Sequence, residues 1–294
     1  MALISIVSAK SAGVTTSALA LTMASERPVL MAECDPSGGS VRYGLFHGRL
    51  AADSGLAALA IADRQAQLAE AFERHLMDLG SAAGGGERLL LAGLTDPRQA
   101  ASLSETWEPL AQLLELMDQH AGYHVITDGG RLQIDGGRVQ SRLYPAAVLH
   151  RSDVVLLAVR PVYRALEEAA ATVKVLRDEL VARGRGDAAL GLLLVGTGYP
   201  EREISNYLQA PVLVSLPWDA RAAGVLSDGE RRPRGFSRSM LLRAARSGLD
   251  RCVEVTQRRR LQERYGIAQV TSPAVAGVLN RVAAQRPEQV AARG

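Results

Sequence analysis

Several things are scarce in this 294-residue chain, and each shortage removes a class of function. Two cysteines, Cys34 and Cys252, are too few for a disulfide framework or a zinc cluster, so a reduced compartment is expected. Aromatic residues make up 4% of the chain, and the Arg-rich stretch 231–265 holds only Phe236 and Tyr265, so it lacks the stacking platforms of single-strand nucleic-acid readers. Lysine is nearly missing: of 34 basic residues only Lys10 and Lys174 are lysines. No apolar run approaches the roughly 18–20 residues of a membrane-spanning helix. Ala2–Ser8 follows Met1 with no basic region and no cleavage site, so no secretory signal is expected. The expected location is cytoplasmic, including the periphery of a membrane or of the nucleoid. Also missing are a G-x-S-x-G elbow, a G-x-G-x-x-G after the first strand, and a His pair at i, i+4 with Glu between, which sets aside serine-hydrolase, dehydrogenase and zinc-hydrolase chemistry.

The net charge of +3 hides an asymmetry. Residues 231–294 carry 14 Arg and 4 acidic groups, net +10, which leaves 20 basic and 27 acidic groups, net −7, in residues 1–230. An acidic body with a basic C-terminal segment has two readings: a solvated Arg-rich surface, or a patch for DNA or another anionic surface through 231–265. The expected division is an α/β domain over 1–230 and a basic helical extension over 231–294 with a loosely held end.

Apolar runs alternate with helix-length amphipathic stretches, the pattern of a mainly parallel sheet with helices on both faces. Strands are expected at Leu3–Ser8, Val29–Glu33, Arg88–Ala92, His124–Thr127, Val154–Val159, Leu192–Val195 and Val212–Ser215. Most are continuous apolar runs, as burial on both faces requires. Helices are expected at Thr15–Ala24, Gln65–Asp78, Ser104–His120, Arg164–Ala182, Glu201–Leu208, Phe236–Arg260 and Pro273–Ala284, with Ser81–Gly86 a flexible connection.

The first strand runs into Ala9-Lys10-Ser11-Ala12-Gly13-Val14-Thr15-Thr16-Ser17 and then an apolar helix. A strand, a small-residue loop and a helix opening on Thr-Thr form the arrangement in which free N–H groups and the helix dipole receive phosphate. A Thr hydroxyl there can hold magnesium. The pattern G-x-x-x-x-G-K-[ST] is not met: with Gly13 as the second Gly and Thr15 as the Ser/Thr, Val14 stands at the lysine and Ser8 at the first Gly. Lys10 is the only other cation that the loop offers.

Further along, Glu33-Cys34-Asp35-Pro36-Ser37-Gly38 resembles the D-x-D-P-x-G turn of the MinD/ParA ATPases, and Tyr123–Gly130 resembles their strand ending in the magnesium-side Asp. Ser152–Leu157 and Leu216-Pro217-Trp218-Asp219 resemble the next strand and the turn beside the adenine. With the loop, these pieces make the chain similar to deviant-Walker MinD/ParA-like P-loop proteins over about residues 1–250. Lys10–Thr16 also resembles a divergent actinobacterial branch with a K-G-S-P-G-V-T-T loop, and more distantly the CpaE/TadZ localisation proteins. The resemblance implies a three-layer P-loop NTPase fold, ATP or ADP with Mg as cofactors, a homodimer, and protein partners. It implies Lys10, Ser11, Gly13, Thr15, Thr16, Pro217 and Asp219 at the nucleotide, Thr15 and Asp128 at magnesium, and Asp35 and Asp128 in catalysis. Two departures stand out. Gly196-Thr197-Gly198 falls where the family carries an adenine-reading Asn, and Glu33 replaces the first Asp of D-x-D. Two functions follow: a localisation or assembly scaffold with weak or lost ATPase activity, or an active ATP-dependent spatial switch. Trp218 is expected to serve packing.

Overall fold

The computed structural model describes residues 1–51, 53–82 and 84–265. In chain order the elements are β1 (Leu3–Ser8), α1 (Val14–Ala24), β2 (Val29–Glu33), α2 (Ser40–Tyr43), α3 (Leu56–Arg64), α4 (Leu68–Arg74), β3 (Leu76–Ser81), β4 (Glu87–Leu91), α5 (Trp107–Gln119) and β5 (His124–Arg131). There follow β6 (Ile134–Asp135), β7 (Arg138–Val139), α6 (Ala146–Arg151), β8 (Val154–Val159), α7 (Tyr163–Ala182), β9 (Leu190–Val195), α8 (Glu201–Leu208), β10 (Val212–Leu216), α9 (Ala220–Ser227) and α10 (Met240–Tyr265). The main sheet has eight strands in the order β10-β9-β8-β1-β5-β2-β4-β3, all parallel except the β3–β4 pair, while β6 and β7 form a separate hairpin.

β1 shows why the layers form. Its six residues are all buried; Ile4 and Ile6 pack on the α1 side while Leu3 and Val7 pack on the other. Between them Ser5 Oγ hydrogen-bonds Thr127 Oγ1 at 2.7 Å and Ser152 Oγ at 2.6 Å, so the polar atoms on this central strand are paired inside the core. One face of the sheet carries α1, α9 and α10; the other carries α3, α5, α6, α7 and α8.

The region 65–86 differs from expectation. Instead of one helix over 65–78, α4 stops at Arg74 and the chain enters β3, an antiparallel edge strand whose Met77 and Leu79 pack against the core. Leu68, Phe72, Leu76 and Leu79 carry helical spacing, but the pairing offered by β4 overrides it. Where a flexible connection was expected over Ser81–Gly86, Ala82 and Gly86 tie the β3–β4 hairpin together, the Ala82 N–H donating to Gly86 O at 2.8 Å. The helices α2, α3, α6 and α9 and the β6–β7 hairpin were not expected from the sequence. Residues 273–284 and the end of the chain lie outside the described residues.

The basic helix α10 is part of the core. Leu241, Leu242, Ala245, Leu249 and Cys252 are buried with α1 and β10, and a Cβ on Gly248 would lie 2.7 Å from Val214 Cγ1, so glycine lets the helix seat closely on β10. Its far end is clamped by charge. Asp153 Oδ2 accepts from Leu3 N (3.0 Å) and Arg260 Nη2 (2.6 Å), and Asp153 Oδ1 accepts from Arg259 Nη2 (3.2 Å) and Arg260 Nε (3.1 Å). Arg260 also reaches Asp118. Among the described residues no helix is long and apolar enough to cross a membrane.

Candidate nucleotide site

β1 lies between β5 and β8, with the later strands running outward on one side and β2, β4 and β3 on the other. That reversal of strand order is the switch point where open α/β sheets bind ligands, outside the strand C-termini. The loop Ala9–Gly13 sits there. Gly13 adopts the left-handed conformation (φ 75°), α1 starts at Val14, and no side chain caps the helix. The first-turn N–H groups are therefore left for another acceptor.

Val14 is only 6% exposed and packs in the core with Ala18 and Leu216. Val14, expected from the sequence to stand at the P-loop lysine position, is thus a hydrophobic anchor. Lys10 does not stand in for that lysine. Its Nζ lies 2.7 Å from Glu168 Oε1 on α7, an oxygen that Arg164 Nε also meets at 3.1 Å.

The strand ends beside the loop gather three carboxylates. Asp128 is fully buried; its Oδ1 accepts from the Gly130 N–H at 2.9 Å, and its Oδ2 has no hydrogen-bond partner among the described residues. Burial pushes its pKa up to about 7, aided by Glu33 and Asp35 and opposed by the Thr15 hydroxyl and the Gly130 N–H. The Cys34 N–H donates to Asp128 O (2.8 Å), which locks the β2 turn against β5. Asp35 lies so close that a Cβ on Gly130 (φ 60°) would fall 2.1 Å from its Cγ. Glu33 plays a different part, since its two oxygens accept from the Val41 N–H and the Gly93 N–H, both at 2.9 Å, and so brace β2 to α2 and to the segment after β4. Burial raises its pKa against those two hydrogen bonds. The Tyr144 hydroxyl, behind Gly129, is buried without a partner.

A 430 Å³ cavity opens on the other side of the loop, within the range of small-molecule sites. Gly13 and Thr16 line it with Pro217 and Asp219, and Ser11 lies on its rim. Asp219 also caps α9, accepting from the Ala222 N–H at 3.1 Å. Trp218, expected to pack, is 65% exposed on the cavity wall with the Arg160 guanidinium 5.7 Å from its ring centroid. The Gly196–Gly198 turn brings no amide to this cavity, and a Cβ on Gly198 would collide with Pro161 O at 1.8 Å.

The expected residues therefore assemble around one loop in two groups, Thr15, Asp35 and Asp128 on one side and Thr16, Pro217 and Asp219 on the other, while Lys10 turns away. Arg160 was overlooked, although a lone Arg directly after an apolar strand at Val159-Arg160-Pro161 was its signal. The uncapped helix and the cavity fit a nucleotide. The unpaired Asp128 oxygen near Thr15 fits a hard divalent cation that keeps several waters.

The backbone likeness is decisive. The fold is that of the MinD and ParA ATPases. A ParA family ATPase from Chlorobium tepidum superposes with a TM-score of 0.60 at 16% identity, covering 84% of this chain and 98% of that one. MinD from Pyrococcus horikoshii, solved with Mg-ADP, gives 0.58 at 17% identity, covering 84% and 93%. A single-residue variant of Cyanothece McdA in complex with ATP gives 0.56 at 13% identity, covering 92% and 99%. No protein-family model and no curated protein matches the sequence. The MinD/ParA fold is thus preserved here where sequence likeness is low.

Proposed function

We propose that this chain is a MinD/ParA-like protein with a degenerate phosphate loop that binds ATP or ADP with Mg weakly, has weak or lost ATPase activity, and acts as a localisation or assembly scaffold or as a regulator of a protein partner. One observation carries the reading: the lysine position is filled by a core valine, and the loop's remaining cation is paired with Glu168. A charge-assisted hydrogen bond is worth roughly 1.5–3 kcal/mol, so its loss weakens triphosphate binding by roughly ten- to a hundredfold. The likeness of Lys10–Thr16 to the K-G-S-P-G-V-T-T branch supports Val14 as a design shared within that branch. In this reading the α1 N–H groups hold phosphate, Thr15 and Asp128 hold the metal's shell, Asp35 orients water, and Pro217 and Asp219 border the base. Magnesium, when bound, supplies charge neutralisation at the phosphates. A homodimer, and contact with DNA or an anionic surface through the exposed arginines of 231–265, belong to the same proposal.

The unpaired Asp128 oxygen favours a second reading, an active ATP-dependent switch that positions an envelope, secretion or chromosome machine. Calorimetry with ATP, ADP and Mg on wild type and Val14→Lys, with phosphate release measured in parallel, separates the two. The scaffold reading expects weak wild-type binding, tightened by Val14→Lys, and little turnover. Tight wild-type binding with turnover abolished by Asp128→Ala overturns it.

A further inference from the structure

We infer that Arg160 supplies the phosphate-binding charge that the loop itself has lost, acting from the neighbouring strand instead of from α1. The inference rests on the nucleotide reading above and names the residue that makes it workable.

Three observations lead to it. Arg160 is the first residue after β8, and β8 pairs with β1 in the register Ala158↔Ser8, which sets Arg160 beside the loop across the switch point. It borders both the 430 Å³ cavity and a 400 Å³ cavity holding Lys10, Arg131 and Arg164, so its side chain stands over the wall between them. And it is exposed, with no carboxylate partner among the described residues.

The contrast with its neighbours is chemical. Lys10 and Arg164 share Glu168, so binding an anion there requires breaking ion pairs already made, and Arg131, exposed and without an ion pair among the described residues, lines only the cavity away from the base turn. Among the described residues Arg160 meets only the exposed ring of Trp218, a contact that a phosphate can displace or share. Its planar fork suits two phosphate oxygens at once and offsets part of the charge lost with the loop lysine, so binding stays weak but measurable. With Val14 sealed in the core, the cation comes from the far side of the loop, and Trp218 holds it near the base turn until a nucleotide arrives.

The test uses ATP with Mg as the probe on the full chain, read by calorimetry and by tryptophan emission. Trp107 is 2% exposed, so the environment-sensitive and quencher-accessible signal belongs to Trp218. Expected results are a ten- to hundredfold loss of ATP affinity in Arg160→Ala, only part of it regained in Arg160→Lys, an unchanged affinity for adenosine, and a Trp218 response to ATP that Arg160→Ala abolishes. Unchanged melting temperatures verify that the variants fold. Equal ATP binding by wild type and Arg160→Ala overturns this inference alone. Absence of wild-type ATP binding at millimolar concentration overturns the nucleotide reading, and the inference with it.

Discussion

Replacing Asp153 by Asn keeps the shape of the clamp at the foot of α10 and removes its charge. The Asp153 side chain is 4% exposed and that of Arg259 is 7% exposed, so water compensates neither. Removing one partner of a buried pair costs about 3–5 kcal/mol, because the surviving charge stays desolvated. Arg260 keeps Asp118, and Arg259 keeps its i, i+4 partner Glu263, which places the expected loss near the lower end, about 3 kcal/mol. For a chain of this size that is a fall in melting temperature of roughly 6–12 °C. Urea unfolding measures it as a lower midpoint at unchanged slope. Arg258→Ala is the control: its pair with Glu254 is solvent-exposed, and the expected loss is under about 1 kcal/mol. The Asp153→Asn effect also persists at high salt, where surface pairs are screened. A loss below about 1 kcal/mol, or one erased by salt, refutes the picture of α10 as a helix fastened by buried charge.

Asp128 sets a pH dependence. Its folded pKa of about 7 stands above the ordinary 3.8, so the folded state holds the proton more tightly, and the resulting stability is lost as pH rises from about 4 through 7. Asp128→Asn is then more stable than wild type at pH 8 in EDTA, by up to roughly 4 kcal/mol, and no different below pH 4. A gap that does not change with pH contradicts the burial of this carboxylate. Gly130→Ala forces a Cβ into the Asp35 carboxylate at a positive φ and lowers stability by roughly 1–3 kcal/mol, as thermal melting will show. If 231–265 meets duplex DNA, neutralising the exposed Arg231, Arg232 and Arg234 reduces retention and its salt slope, whereas Arg259→Gln leaves the slope unchanged. Retention and salt slope unchanged when Arg231, Arg232 and Arg234 are all replaced by Gln, in a variant of unchanged melting temperature, refute that placement of the charge.

The parallel sheet was legible because Leu3–Ser8, Val29–Glu33 and Val154–Val159 are apolar almost without interruption, a pattern that strands buried on both faces sustain. β3 was not, because Leu68, Phe72, Leu76 and Leu79 satisfy a helical period and nothing local announces the antiparallel partner. The loop's position could be read from Ala9–Ser17, but its electrostatics could not. Whether Lys10 faces a phosphate or Glu168 depends on α7, some 150 residues away in sequence. In the sequence Glu33 stood out only as a replacement for the first Asp of D-x-D; the two backbone N–H groups it accepts from come from Val41 and Gly93, a bracket visible only in three dimensions. The arginines of 231–265 looked alike in sequence, yet burial divides them into Arg259, spent on the fold, and Arg231, Arg232, Arg234 and Arg243, open to partners.

Helix α10 sets the order in which the molecule can be completed during synthesis. The apolar faces of α1 and β10 emerge from the ribosome well before Leu241–Cys252, and the clamp closes only once Arg260 has followed. Until then Val214 and its neighbours lack their cover, so a nascent or truncated chain ending near residue 230 is a sticky intermediate, vulnerable to aggregation and dependent on chaperones.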